Sequence, residues 1–175
     1  KQVGVAADVI SSYTGGSYAQ HSDKDDDSRE RWGTGDARIN SIELIASDGL
    51  HTQLVESNAA VQVRCQITAH VRIDSPILRI KITKLNGDII WVTSTQRGTN
   101  TLRVLEGPAT ATLDIPKLGL LEGTYYLSAS LSDPTGTTEF DHCQNWIRFN
   151  VHKTNLFDEG VVSVDSTWSL ERHHR

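Results

Sequence analysis

Trp146, Gln144, His142 and Tyr126 are side chains whose types suit one chemistry, the recognition of a sugar. A pyranose offers an apolar C–H face that stacks on an aromatic ring, while its hydroxyls need donors or acceptors once water leaves. In FDHCQNWIRFNV, residues 140–151, Ile147, Phe149 and Val151 alternate as the buried side of a strand, which sends Trp146 to the other side with Gln144 and Arg148. The segment TYYLSASLS before it leads into Asp133-Pro134-Thr135-Gly136, a turn sequence, so the two segments are predicted to pair as a hairpin. A tight turn sets Tyr126 roughly opposite Gln144 and Ser128 roughly opposite His142. Tyr125, Leu127, Ala129 and Leu131 then enter the core with Cys143, Ile147 and Phe149, leaving Tyr126, Ser128, His142, Gln144 and Trp146 together outside. The plainer alternatives are that Trp146 is covered by another segment or a second copy, and that Tyr126 caps a sheet edge.

Nothing in the sequence adds a catalytic or metal-binding signature to this set. It holds no Gly-x-Ser-x-Gly elbow, P-loop, His-Glu-x-x-His or cysteine pair at zinc spacing. Asp133, Glu139 and Asp141 carry the acids a glycosidase pair needs, but acids around a turn read as solvated. His70 and His142 stand alone on polar strand faces, and His173 and His174 belong to the terminus. Asp23, Asp25 and Asp27 have calcium-loop spacing, yet Ser28 stands where the turn glycine belongs and Thr34 where the bidentate glutamate belongs. The expectation is a non-catalytic binding protein without cofactor or metal.

Binding on a strand face requires a sheet to carry it, and the sequence is rich in strands. In AVQVRCQITAHVRI, Val61, Val63, Cys65, Ile67, Ala69, Val71 and Ile73 share one face while Gln62, Arg64, Gln66, Thr68, His70 and Arg72 share the other. Further strands are predicted at ARINSIELIAS, at ILRIKITK and DIIWVTST around Asn86-Gly87, at TATLDI, at the two hairpin segments, and at GVVSVDSTWSL. About eight strands without interleaved helices predict an all-β fold, an antiparallel β-sandwich.

Composition sets the bounds. The 175 residues, 37% hydrophobic and 22% charged, fit one folded domain with extensions, and no apolar run is long enough to span a bilayer. Residues 1–31 read as a flexible linker, 32–170 as the sandwich and 171–175 as a tail. The chain starts at Lys1 and contains no methionine, which suggests a piece of a longer polypeptide. The net charge of −5 disfavours nucleic acid, and removing residues 23–30 leaves 17 acids against 15 bases, a nearly neutral body. Cys65 and Cys143 lack the neighbouring Tyr and Trp of a true immunoglobulin disulfide: Asp141 stands where the Tyr belongs and Arg79 about where the Trp belongs. Buried free thiols in a reducing compartment are expected.

RWGTGDARINSIELIASDG, PILRIKITKLNGDIIWVTST, LLEGTYYLSASLSD, FDHCQNWIRFNV and GVVSVDSTW, in that order and spacing, resemble the C-terminal domain of Wzt, the nucleotide-binding subunit of the ABC transporter that exports O-antigen polysaccharide in Gram-negative bacteria. The similarity runs from Arg31 to Trp168. It implies an immunoglobulin-like carbohydrate-binding module that follows an ATPase domain and reads the capped non-reducing end of the lipopolysaccharide O-chain. It also implies a cytoplasmic location at the inner face of the inner membrane. A homodimer formed by exchange of the last strand, here Gly160 to Trp168 with a hinge at Asn155 to Glu159, is implied as well. The proposed ligand residues are Trp146, Tyr126, Gln144 and His142, joined by Arg64 and Gln66 if the long second strand borders the same face. Trp91 is an alternative platform, and Trp168 is expected to pack at the exchanged strand. Two other readings stand beside this one: a docking or dimerisation module with no glycan site, and a secreted lectin or adhesin domain with a Cys65–Cys143 disulfide.

Overall fold

The computed structural model describes residues 29–97, 102–152 and 159–169. Nine strands are present: β1 Glu30–Trp32, β2 Ala37–Ala46, β3 Leu54–Glu56, β4 Val61–Asp74, β5 Ile77–Thr83, β6 Ile89–Ser94, β7 Val104–Ile115, β8 Gly123–Ser132 and β9 Glu139–His152. They form two sheets. One has the order β1-β9-β8-β5-β6, with β3 also against β9; the other is β2-β4-β7. All pairs are antiparallel except β3 with β9.

Alternation explains the sandwich. Val61, Val63, Cys65, Ile67, Ala69 and Ile73 of β4 are each at most 6% exposed, and they meet Leu78, Ile80, Ile82, Tyr125, Leu127, Ala129, Leu131, Cys143 and Phe149 of the larger sheet in one core. Val71 departs from this series and is 50% exposed. A bulge between Ala69 and Ile73 sets four steps of β4 against two of β7, and Val71 lies in the surplus. Both cysteines are buried with free thiols, and burial pushes each thiol up to about 12.

The β8–β9 hairpin forms, but its register is not the predicted one. Ser130, not Ser128, pairs with His142, and Tyr126 pairs with Arg148, not Gln144. Three features lengthen the β9 side. Asp133 closes a loop through to Thr138, and the Thr135 hydroxyl that donates to it, followed by the Thr138 and Thr137 amides, holds its carboxyl below the usual range. A second bulge sets four steps, Cys143 to Ile147, against the two from Ala129 to Leu127, with Asn145 at φ 50°. The third is one extra residue, Phe140, between the Leu131–Asp141 and Ser132–Glu139 pairs; with the loop it makes a shift of two, as the Asn145 bulge does, so the inward set of both strands survives.

The predicted last strand is the other difference. Within residues 160–168 only Val162 makes a bridge, to Leu120, supported by Leu121 N–H donating to Val161 O and Ser163 N–H to Gly119 O. Val164 and Trp168 are 77% and 95% exposed. The predicted hinge lies mostly outside the described residues.

Candidate functional site

The outer face of the larger sheet is built from the polar half of each alternating strand. Arg79, Lys81 and Thr83 of β5 pair in register with Ser130, Ser128 and Tyr126 of β8. Ser130 in turn pairs with His142 of β9, and His142 with Trp32 of β1. Partners in register point to the same side of a sheet, so these residues share one face. Its centre is a line of small serines and its flanks carry long side chains.

Trp32 is the aromatic platform of this face. Its ring is 45% exposed and stacks on the His142 imidazole, with centroids 3.9 Å apart and planes 19° apart. Glu139 braces both rings: Trp32 Nε1–H donates to Glu139 Oε2 at 2.8 Å, and His142 Nδ1 lies 3.1 Å from the same carboxylate. The second imidazole nitrogen, Nε2, faces Gln144 Oε1 at 3.2 Å. Lys81 Nζ donates to that oxygen at 2.9 Å, which orients the amide. Gln144 Nε2 reaches Asn145 Oδ1, which also accepts from Thr83 Oγ1, and Asn145 N–H donates to Ser128 Oγ. Ring, carboxylate, imidazole, amides and ammonium thus form one connected array across β1, β9, β8 and β5. Such networks hold their members in fixed rotamers.

Two local causes put Trp32 there. Arg31, its neighbour, turns to the other side, where Nε and an Nη bond both oxygens of Asp141 at 2.8 and 2.6 Å; Asp141 also accepts from Ile39 N–H of the opposite sheet. Asp141 is 2% exposed, so this fork and its amide donor satisfy a carboxylate held inside the sandwich. Gly33 then lets the chain hug β9: it has φ 138°, and a Cβ there would lie 2.4 Å from the Phe140 carbonyl oxygen. Thr34 N–H and Gly35 N–H continue the contact by donating to Glu139 O and Phe140 O.

The sequence-predicted residues separate into three groups. His142 and Gln144 belong to the array. Tyr126 lies on the same face but is only 4% exposed, so its ring is not offered for stacking. Trp146 is not on the outer face as predicted. The bulge at Asn145 turns it toward the core, where it is half-buried against the hydrophobic cluster with the Arg31 guanidinium 5.6 Å from its ring centre. Arg64 and Gln66 lie on the outer side of β2-β4-β7, so the sandwich separates them from His142. Trp91 pairs with Ile82 and faces the core side. Trp32 itself was missed because a three-residue strand shows no periodicity; the only signal is its place between a charge run and Gly33. A cavity of about 290 Å3 lies between the sheets near β6 and β7, lined by aliphatic groups such as Val63, Leu78 and Leu113 and by polar ones such as Thr93, Ser94 and Arg97, with no aromatic ring for a sugar to stack on. No group of metal-ligating side chains occurs among the described residues.

The fold built by these strands is found in a solved structure of the C-terminal domain of Wzt, with a TM-score of 0.73 and 21% identity over 83% of this chain and 90% of that one. Two more distant structures overlap it: a CARDB domain from Pyrococcus furiosus solved with di-metal ions (TM-score 0.40, 13% identity, 69% of this chain and 93% of that one) and a Bacteroides uniformis β-glucuronidase (TM-score 0.43, 11% identity, 60% and 12%). Neither likeness is close enough to carry an argument. No curated protein matches the sequence. The model of the Wzt C-terminal domain family matches residues 28–164, spanning every strand from β1 to β9 and the bridge at Val162. The chain belongs to the Wzt C-terminal domain family.

Proposed function

We propose that the outer face of the larger sheet, centred on Trp32 and His142, binds O-antigen polysaccharide at its capped non-reducing end and so couples chain completion to export by the ABC transporter. The observation that carries this reading is an exposed indole fixed flat against an imidazole and continued by an ordered array of hydrogen-bonding side chains. A sugar ring stacks its C–H face on Trp32 and directs hydroxyls to Glu139 and Gln144. Family membership supports it. Binding involves no covalent step, and the role is to hold a glycan rather than to alter it. The reading places the domain beside the transporter at the inner face of the inner membrane; no helix among the described residues is long and apolar enough to cross a membrane.

The same reading takes the chain as a homodimer joined through residues 160–168. The exposed Val164 and Trp168 beyond the single bridge at Val162 support it, because a partner's sheet edge would cover them. Two linked faces would bind one long glycan more tightly than one.

The test is titration of the chain with O-polysaccharide isolated from the bacterium that produces it, followed calorimetrically. Trp32→Ala is expected to weaken binding by about tenfold or more while the melting temperature stays close to wild type, since stacking adds about 0.5 to 1.5 kcal/mol beyond the buried ring area. Unchanged affinity in a folded Trp32→Ala chain would remove this face from the account.

A further inference from the structure

We propose that the glycan held on this face carries an acidic group, carboxylate or phosphate, and that Arg79 and Lys81 read it. This rests on the function proposed above. Arg79 and Lys81 are two residues apart on β5, so their side chains leave the same face with Cα atoms roughly 7 Å apart. Both are half-buried, and neither has a carboxylate partner among the described residues; Lys81 donates only to the neutral amide of Gln144, and Arg79 makes no hydrogen bond or ion pair there. Arg148 adds a third positive charge, in the row of Thr83 and Tyr126.

Two acids of the described residues share this face, Glu139, engaged by Trp32 and His142, and Glu30, paired with Gln144 on the edge strand β1; both lie on the far side of β8 from Arg79, and neither forms an ion pair with Arg79 or Lys81. Two adjacent, partly desolvated cations without a counter-ion oppose folding, and a site that retains them focuses positive potential on the small-residue floor of Ser128 and Ser130. An anion bound there removes the repulsion and fills the idle donors of the guanidinium and ammonium.

Geometry also orders the ligand. From β1 to β5 there are three strand steps, so Trp32 and Arg79 stand roughly 14 Å apart. An acidic group held by Arg79 and the stacked ring therefore belong to different sugars of one chain, with Lys81, whose Nζ reaches Gln144, between them. The nearly neutral body of the protein hides this local charge, since acids elsewhere cancel it in the sum.

The experiment compares three forms of the O-polysaccharide from the producing bacterium: untreated, carboxyl-reduced, and dephosphorylated with hydrofluoric acid. Wild-type chain is expected to lose about tenfold or more in affinity for one treated form, which names the source of the charge, because a charge-assisted hydrogen bond contributes about 1.5 to 3 kcal/mol. Arg79→Gln and Lys81→Gln chains are expected to bind untreated glycan as weakly as wild type binds that treated form, and to show no further loss on it. Melting temperatures at or above wild type would accompany this, since the repulsion is relieved. Equal wild-type affinity for all three forms would overturn the acidic group and leave the glycan site standing. A variant that stays folded and loses affinity equally for all forms would overturn the charge-reading role. Absence of binding to untreated glycan would overturn the proposed function itself, and this inference with it.

Discussion

Trp32 and Asp141 show two uses of residues that few local rules would pick out. Trp32 is presented to solvent because its neighbour Arg31 is drawn inward to a carboxylate that is 2% exposed. Removing that carboxylate leaves a largely buried guanidinium without its partner and the Ile39 amide without an acceptor. Asp141→Ala is therefore expected to cost about 3 to 5 kcal/mol in urea denaturation; a loss below about 1 kcal/mol, the surface-pair range, would show that the fork contributes little. The thiols make a second prediction. Burial holds Cys65 and Cys143 protonated up to about 12, against an ordinary 9.0, with the Glu43 and Asp141 carboxylates adding to the effect. Above pH 9 the unfolded thiols lose protons that the folded ones keep, so their contribution to stability is complete below that pH and declines as pH rises toward 12. Melting curves should show this decline shrink in Cys65→Ala, and iodoacetamide at about pH 8 should leave the folded chain unmodified.

At the scale of elements, β1 and the β8–β9 hairpin decide what the outer face presents. Gly33 is where β1 meets β9 most closely, and any side chain there collides with the Phe140 backbone. Gly33→Ala is expected to detach β1, lower the melting temperature and weaken glycan binding together, whereas Trp32→Ala weakens binding alone. Retention of binding in Gly33→Ala would mean that β1 does not need its present path. The strands themselves were legible, because alternation is a direct consequence of one dry and one wet face: β2, β4, β5, β6, β8 and β9 lie where the pattern put them. The register was not. A bulge at Asn145 costs the sequence only an asparagine that tolerates positive φ, and one asparagine inside an alternating run does not mark where the register slips. That one feature carried Trp146 from the predicted platform to the core flank and left the platform to a tryptophan on a strand too short to leave a pattern.

Across the whole molecule, the two sheets divide the surface into faces with different chemistry. The outer side of β2-β4-β7 is a ladder of polar pairs such as Gln62–Asp114 and Asn40–Thr68, which satisfy one another. The outer side of the larger sheet combines an exposed indole with cations that form no ion pair among the described residues. This contrast follows from topology rather than composition, which is why the sequence grouped Arg64 and Gln66 with residues on the far side of the sandwich. The chain contains four tryptophans: Trp32 on the proposed face, Trp91 and Trp146 against the core, and Trp168 exposed at the C-terminal end. Labelling them with 5-fluorotryptophan and titrating with the O-polysaccharide gives each its own fluorine resonance as a reporter. The Trp32 resonance is expected to shift in a saturable manner while those of Trp91 and Trp146 hold still; a saturable shift of Trp146 or Trp168 with Trp32 unmoved would contradict the assignment of the binding face.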